Sequence, residues 1–162
     1  MRTFFHLAVA VALFAAAIAS ESHSSDLLRI SEDGWYTWQV AGDERLEIYA
    51  RIESGRPVEM RIPSFECNHR RGLPDDARDL GPIAADESIA WLLRFVSPRS
   101  DVSSGVMAAI AAHDSAEAAR ALVDVVRSDR HRKNRSEAVF WLANTDDDAA
   151  FLFLDELLTA PN

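Results

Sequence analysis

Cys67 and His69 stand two residues apart in Phe65-Glu66-Cys67-Asn68-His69-Arg70-Arg71. A thiol beside an imidazole and two guanidinium groups is a setting that lowers a cysteine pKa and makes the sulfur nucleophilic. No third group is evident to orient the pair. No second cysteine exists to resolve an oxidised form, since Cys67 is the only one in 162 residues. A lone thiol of this kind is expected to be buried or to link two chains rather than to catalyse. The same count excludes an internal disulfide framework and a Cys-rich metal site.

The other polar clusters yield equally little catalytic chemistry. Asp146, Asp147 and Asp148 lack the glycine and distal glutamate of a calcium loop and read as acids at the positive end of a helix. The five histidines, His6, His23, His69, His113 and His131, contain no pair at helical metal-binding spacing. Gly-rich phosphate loops, nucleophile elbows and paired-acid patterns are absent. No catalytic residue, metal or cofactor is expected, and the chain does not read as an enzyme.

Two surfaces carry binding potential. Arg127, Arg130, His131, Arg132, Lys133 and Arg135 form the one basic cluster, at the end of one helix and the start of the next. Part of it complements a helix C-terminus, and part could hold an anion or an acidic partner at the following helix N-terminus. The second surface is Ala149-Ala150-Phe151-Leu152-Phe153-Leu154, apolar all round and followed by Leu157-Leu158. Either it is buried by the preceding elements, or it docks a partner or a second copy. The candidate partner-binding residues are thus Phe151, Phe153, Leu154, Leu157, Arg130, Arg132, Lys133 and Arg135, and the candidate reactive thiol is Cys67 with His69.

The elements that position these groups follow from pattern. Residues 1–19 read as a signal peptide: Arg2 supplies the positive start, Leu7 to Ala19 an unbroken apolar run, and Ala17-Ile18-Ala19 the cleavage pattern. The run is short for a bilayer span, so a periplasmic or secreted protein with no membrane span after cleavage is expected. Residues 20–34 read as a flexible leader. Residues 35–67 form a small antiparallel β region. There, Leu46, Ile48, Ala50 and Ile52 face one way and Glu47, Tyr49, Arg51 and Glu53 the other, and Val58, Met60 and Ile62 resume the alternation after a Ser54-Gly55-Arg56 turn. Residues 68–83, rich in Gly, Pro, Asp and Arg, read as a linker or loop. Residues 84–162 are helical in period, with helices over 86–96 and from Ser103 to Ala112. Capping patterns at Asp114-Ser115-Ala116-Glu117 and Asn134-Arg135-Ser136-Glu137 open two more, and a fifth follows Asp146.

The helical region overlays itself at a shift of 32. Ile110-Ala111 falls on Leu142-Ala143, Asp114 on Asp146, Ala118 on Ala150, Leu122 on Leu154, and Asp124 on Glu156. Two helices per unit at a period near 30 is the pattern of an α-solenoid. On these residues the stretch 84–160 resembles short bacterial HEAT-like repeats of the phycobilisome-lyase type. Gly34-Trp35-Tyr36-Thr37-Trp38, Asp86-Glu87-Ser88-Ile89-Ala90-Trp91-Leu92 and Arg132-Lys133-Asn134-Arg135 leading into Ala138-Val139-Phe140-Trp141-Leu142 together resemble a group of exported bacterial HEAT-like repeat proteins. Members of that group carry a longer, Cys-containing insert after the first strand, where this chain has only a turn, so no disulfide logic is carried over.

The expected fold is α+β: a small antiparallel β-hairpin or sheet packed on a HEAT-like α-solenoid of about five helices. The resemblance implies a protein-interaction scaffold, one that binds another envelope protein or self-associates through the C-terminal helix. The formal charge of −9, from 17 basic and 26 acidic residues, argues against nonspecific nucleic-acid binding. A different class, an envelope thiol or small-anion-binding protein using Cys67, His69 and nearby arginines, is the alternative. Rapid modification of Cys67 in the folded protein would favour it.

Overall fold

The computed structural model describes residues 27, 30–63, 72–97 and 102–159. The fold is α+β, with four strands followed by five helices among the described residues. The strands are β1 (Gly34–Val40), β2 (Asp43–Glu53), β3 (Arg56–Arg61) and β4 (Arg78–Ile83). The helices are α1 (Ala85–Leu93), α2 (Ser103–Ala111), α3 (Ala116–Ser128), α4 (Arg132–Leu142) and α5 (Asp148–Thr159).

The strands form one sheet in the order β3-β2-β1-β4. β1 and β2 pair antiparallel with Trp38 opposite Ile48, which sets Tyr36, Trp38, Ile48, Ala50 and Ile52 on one buried face. Thr37, Gln39, Glu47 and Tyr49 fall on the other, because side chains alternate along a strand. The β2–β3 turn is a two-residue connection with positive φ at both Ser54 (52°) and Gly55 (72°), the twist that a tight hairpin requires. Asp33 Oδ1 accepts the Ser54 backbone N–H at 2.7 Å and ties the turn down.

Three differences from the sequence pattern have local causes. Val58 was expected on the buried face but is exposed. Arg51 pairs with Glu59 and Ile52 with Pro57, so Val58 is the extra residue of a bulge, and Pro57 is buried in its place. The stretch 68–83, expected as a linker, ends in β4, which pairs parallel with β1 and makes the sheet mixed rather than antiparallel. Its Gly81 and Pro82 look like turn residues, yet both are tolerated at an edge strand with an irregular register. The leader is not loose throughout: Leu27 is buried, Ile30 packs on the core, and Glu32 pairs with Arg78 at 2.7 Å.

The apolar sheet face is covered by α1 and α2. β4 ends at Ile83 and α1 begins at Ala85, so the last strand delivers the first helix straight onto the sheet. Trp38 is fully buried, its ring edge-on to Trp91 of α1 at 5.6 Å between centroids, and its Nε1 donates to Ser88 Oγ at 2.9 Å. α2 lies against β3, where an added Cβ on Gly105 would sit 3.1 Å from Met60 Cβ. α2 also touches α1, α3 and α4.

Helix starts also differ in detail. Ser103 does not cap α2; its Oγ accepts the Ser97 N–H at 3.3 Å instead. The α3 cap is Ser115, whose Oγ accepts the Ala118 N–H, while Asp114 sits just before it with φ 42°. Asn134 is not the cap of α4 but a buried residue inside it, because the helix already starts at Arg132. Asp147 caps α5, its Oδ1 accepting the Ala150 N–H at 2.9 Å.

Ser88→Ala is expected to cost about 1–3 kcal/mol, because it leaves the buried Trp38 indole N–H without an acceptor. Urea unfolding should show a lower midpoint at an unchanged slope.

Candidate functional site

Cys67 and His69, with Arg70 and Arg71, lie outside the described residues. The basic cluster and the α5 residues are described, and the structure separates them into different roles.

The basic cluster is organised around an internal carboxylate. Asp129, at the end of α3, accepts the His131 backbone N–H at 2.7 Å, contacts the His131 ring Nδ1 at 3.0 Å and accepts Asn134 Nδ2 at 2.7 Å. Its backbone carbonyl takes Arg135 Nη1 at 3.0 Å. Burial alone would raise the Asp129 pKa. The hydrogen bonds from Asn134 and His131 outweigh it and hold the carboxyl below its ordinary value. Arg135 and His131 are thus pieces of the α3–α4 corner. Arg127 turns the other way and stacks its guanidinium over the Phe153 ring of α5 at 4.9 Å. Arg130, Arg132 and Lys133 remain exposed, and no ion pair engages them among the described residues.

The α5 candidates divide along the helix period. Phe153, expected in the exposed patch, is 7% exposed, because with Ala150 it forms the inner stripe against α3. Leu154 is half-buried and Leu157 is exposed. Phe151, by contrast, is 70% exposed. Three residues outside the candidate set join it in exposure: Leu158 at 86%, Leu152 at 66% and Phe140 of α4 at 57%.

Their place in the fold follows from the 32-residue shift. The hairpin α2–α3 maps onto α4–α5, and the caps Ser115 and Asp147 correspond. α2 touches α4 and α3 touches α5, so equivalent helices lie side by side. The equivalent turns meet as well, the Asp146 N–H reaching Asp114 Oδ1 at 3.4 Å. The side of α2 that faces α4 carries Ser104, whose Oγ donates to Glu137 Oε2 at 2.9 Å, and Ala108, 6% exposed. The side of α3 that faces α5 carries Ala119, 2% exposed, and Val123. Shifted by 32, these four become Ser136, Phe140, Phe151 and Asp155, and Val126 becomes Leu158. The exposed face of α4–α5 is therefore the equivalent of the face that α2–α3 uses to hold α4–α5. Phe140 was missed because it sits in a helix with an otherwise polar start; the shift onto Ala108 is the signal that finds it.

Two concavities adjoin these elements. A groove of about 470 Å³ between α3 and α5 is lined by Val123, Arg127, Leu152 and Phe153, with Asp124 and Glu156 at its sides. A smaller cavity of about 320 Å³ lies between the β1–β2 turn and the repeat turns, lined by Asp43, Arg45, Asp114, Asn144 and Asp146. Its acids are engaged in the turns: Asp43 Oδ1 accepts the Arg45 N–H and Asp114 Oδ1 the Asp146 N–H. Among the described residues no group of three or more His, Cys, Asp or Glu side chains is arranged to hold a metal ion. No described helix is long and apolar enough to cross a membrane.

No protein-family model matches the chain, and neither a curated protein nor a solved structure is significantly similar to it.

His113, at the end of α2, is buried, with Nδ1 2.8 Å from the Ala109 carbonyl and Nε2 without a partner among the described residues. Burial pushes its pKa below the ordinary imidazole value, although the Ala109 and Ile110 carbonyls and Asp43 oppose the shift. Between its folded value and about 6.5 the unfolded chain binds the extra proton, so stability rises with pH across that window and is lost on acidification. Unfolding free energies measured from pH 7 down to about 5 should fall, and His113→Phe should flatten that slope. Asp129 acts in a separate, lower window: its depressed carboxyl adds stability above the ordinary carboxylate pKa that is lost as pH falls below it. Asp129→Ala is expected to destabilise by about 1–3 kcal/mol at neutral pH, since it strands the buried Asn134 amide. Thermal unfolding of the variant checks it.

Proposed function

We propose that the protein is a non-enzymatic, exported interaction module built from HEAT-like helical repeats, and that it works by docking a protein partner on the free face of α4–α5. The observation that carries this reading is the pairing of burial with exposure at a shift of 32. Ala108 and Ala119 are covered by the next hairpin, whereas their counterparts Phe140 and Phe151 are large, apolar and open to solvent. Soluble chains seldom leave several large apolar side chains of one face uncovered unless that face meets something. Side-by-side stacking of α2 on α4 and α3 on α5 supports the solenoid description, in which each repeat contacts its neighbours, and one face of α4–α5 is uncovered among the described residues. Export rests on the charged start, apolar run and small-residue cleavage pattern of residues 1–19.

The surface suits protein rather than a small molecule. Its apolar residues protrude from two helices instead of lining an enclosed cavity, and aromatic side chains rimmed by charge are the usual anchors of protein interfaces. Exposed Arg130, Arg132 and Lys133 at the start of α4 supply a cationic rim, and Asp148, Asp155 and Glu156 on α5 an anionic one.

Affinity recovery of the tagged protein from the envelope fraction of its host, with bound proteins identified by mass, tests the reading. One stoichiometric protein species is expected, and Phe151→Asp or Arg132→Glu should reduce its recovery about tenfold or more, the loss of roughly one interface anchor. Stoichiometric recovery that both substitutions leave untouched would sink the proposal.

A further inference from the structure

The free face of α4–α5 also carries information about what covers it. Its α5 stripe runs Asp148, Phe151, Asp155, Leu158, at the i, i+3, i+7, i+10 spacing of one helical side, and all four are exposed. Its α4 stripe runs Lys133, Ser136, Phe140, again all exposed. We propose that this face is self-complementary and that its occupant is a second copy of the chain, related by a two-fold axis lying along the helices, so that α4 of each copy packs on α5 of the other. The inference rests on the interaction reading above and names the partner for it.

Three observations favour a second copy. The first is apolar matching. Apart from Val58, every large hydrophobic side chain that is well exposed among the described residues lies on α4 or α5. Of these, Phe140, Phe151 and Leu158 share the free face, Leu152 standing instead at the α3–α5 groove, and an isologous contact buries that shared set on both copies at once.

The second is charge. A chain of formal charge −9 repels its copies, so a contact between them needs a face that carries both signs. This face holds the chain's only lysine, Lys133, on α4, and Asp148 and Asp155 on α5. None of these three is in an ion pair among the described residues. The proposed axis brings the basic α4 of one copy onto the acidic α5 of the other.

The third is bulk. Alanines 108 and 119 let α4–α5 approach α2–α3 closely, but Phe140 and Phe151 occupy those positions on the free face. A further hairpin stacked at the same spacing would collide with both rings. Two copies meeting across aromatic side chains keep the wider spacing that the rings demand.

Two helices of 11 and 12 residues, each roughly 17 Å long, give a contact at or below about 800 Å² per partner, the small end for a specific interface. A contact of that size is expected to dissociate in about the micromolar range, the range the test brackets.

Sedimentation velocity of the purified protein, from about 1 to 200 μM to bracket that range, is the test. A monomer–dimer equilibrium is expected, and Phe151→Asp should leave a monomer throughout with unchanged circular dichroism, since this side chain is already in water. Lys133→Asp and Asp155→Lys should each weaken dimerisation about tenfold, and the double reversal should restore it. A monomer at every concentration overturns the second-copy inference, as does a dimer indifferent to Phe151→Asp. If that monomer still recovers a different protein through Phe151, the interaction reading stands and only the partner named here is wrong. If it recovers nothing, both fall.

Discussion

α2 is nine residues long, opens with Ser-Ser-Gly, and has no side-chain cap. Such a segment is a poor helix by itself, since nucleation is costly and glycine and serine are weak formers. It is helical here because it is enclosed: Ser103 and every residue from Val106 to Ala111 are buried, with β3 on one side and α1, α3 and α4 around the rest. Small side chains make that enclosure possible. Gly105 lets the helix backbone reach Met60 on the sheet, and Ala108 and Ala109 let other helices approach. The sheet cannot keep its apolar face dry without α1 and α2, and α2 cannot stay helical without the sheet. The Trp38–Ser88–Trp91 contact closes the joint from the α1 side, matching the one polar atom of a buried indole with a buried hydroxyl.

From this joint the two ends of the molecule differ. On the outer sheet face charges are mutually engaged: Arg51 with Glu53 and Glu59, Arg61 with Glu59 and over the Trp35 ring, Thr37 and Tyr49 on Glu47. Each such exposed pair is worth little in stability, but a face whose charges satisfy one another asks little of a partner. At the α4–α5 end, Lys133, Asp148 and Asp155 are in no ion pair among the described residues, and Phe140, Phe151 and Leu158 are uncovered. That asymmetry is why the proposed contact is placed at the helical end.

Much of the fold could be read from local pattern, and the failures share a cause. The strict alternation of β2 and the period of α3 are decided by which face is buried, and burial leaves a mark on every second or every third and fourth residue. β4 left no such mark. Its Gly81 and Pro82 read as punctuation, and only pairing with β1, more than 40 residues away in sequence, makes an edge strand of them. Asp114 and Ser115 are both good caps by type; Ser115 takes that role, and Asp114 Oδ1 accepts the Asp146 N–H instead. Likewise Phe151 and Phe153 are indistinguishable in type. Only the position of α3 decides that one is stacked beneath Arg127 while the other stands in water.

The internal repeat is what turns exposure into an argument. A lone exposed phenylalanine says little, since more than half of a protein's surface is apolar. Here the same position occurs twice in the chain, once covered and once not. In the covered instance the contact is a close stack of helices across alanine. In the uncovered one alanine has become phenylalanine at two independent places, on α4 and on α5, while Ser104 is kept as Ser136. A face released from any packing role would gain most by becoming polar, as terminal repeats ordinarily do. On this face the two alanines correspond to larger apolar rings, while Val123 corresponds to Asp155; rings of that size gain free energy only when removed from water. Rings at these two positions, with Asp155 beside them, accord with the proposed contact made at the wider spacing that the rings require.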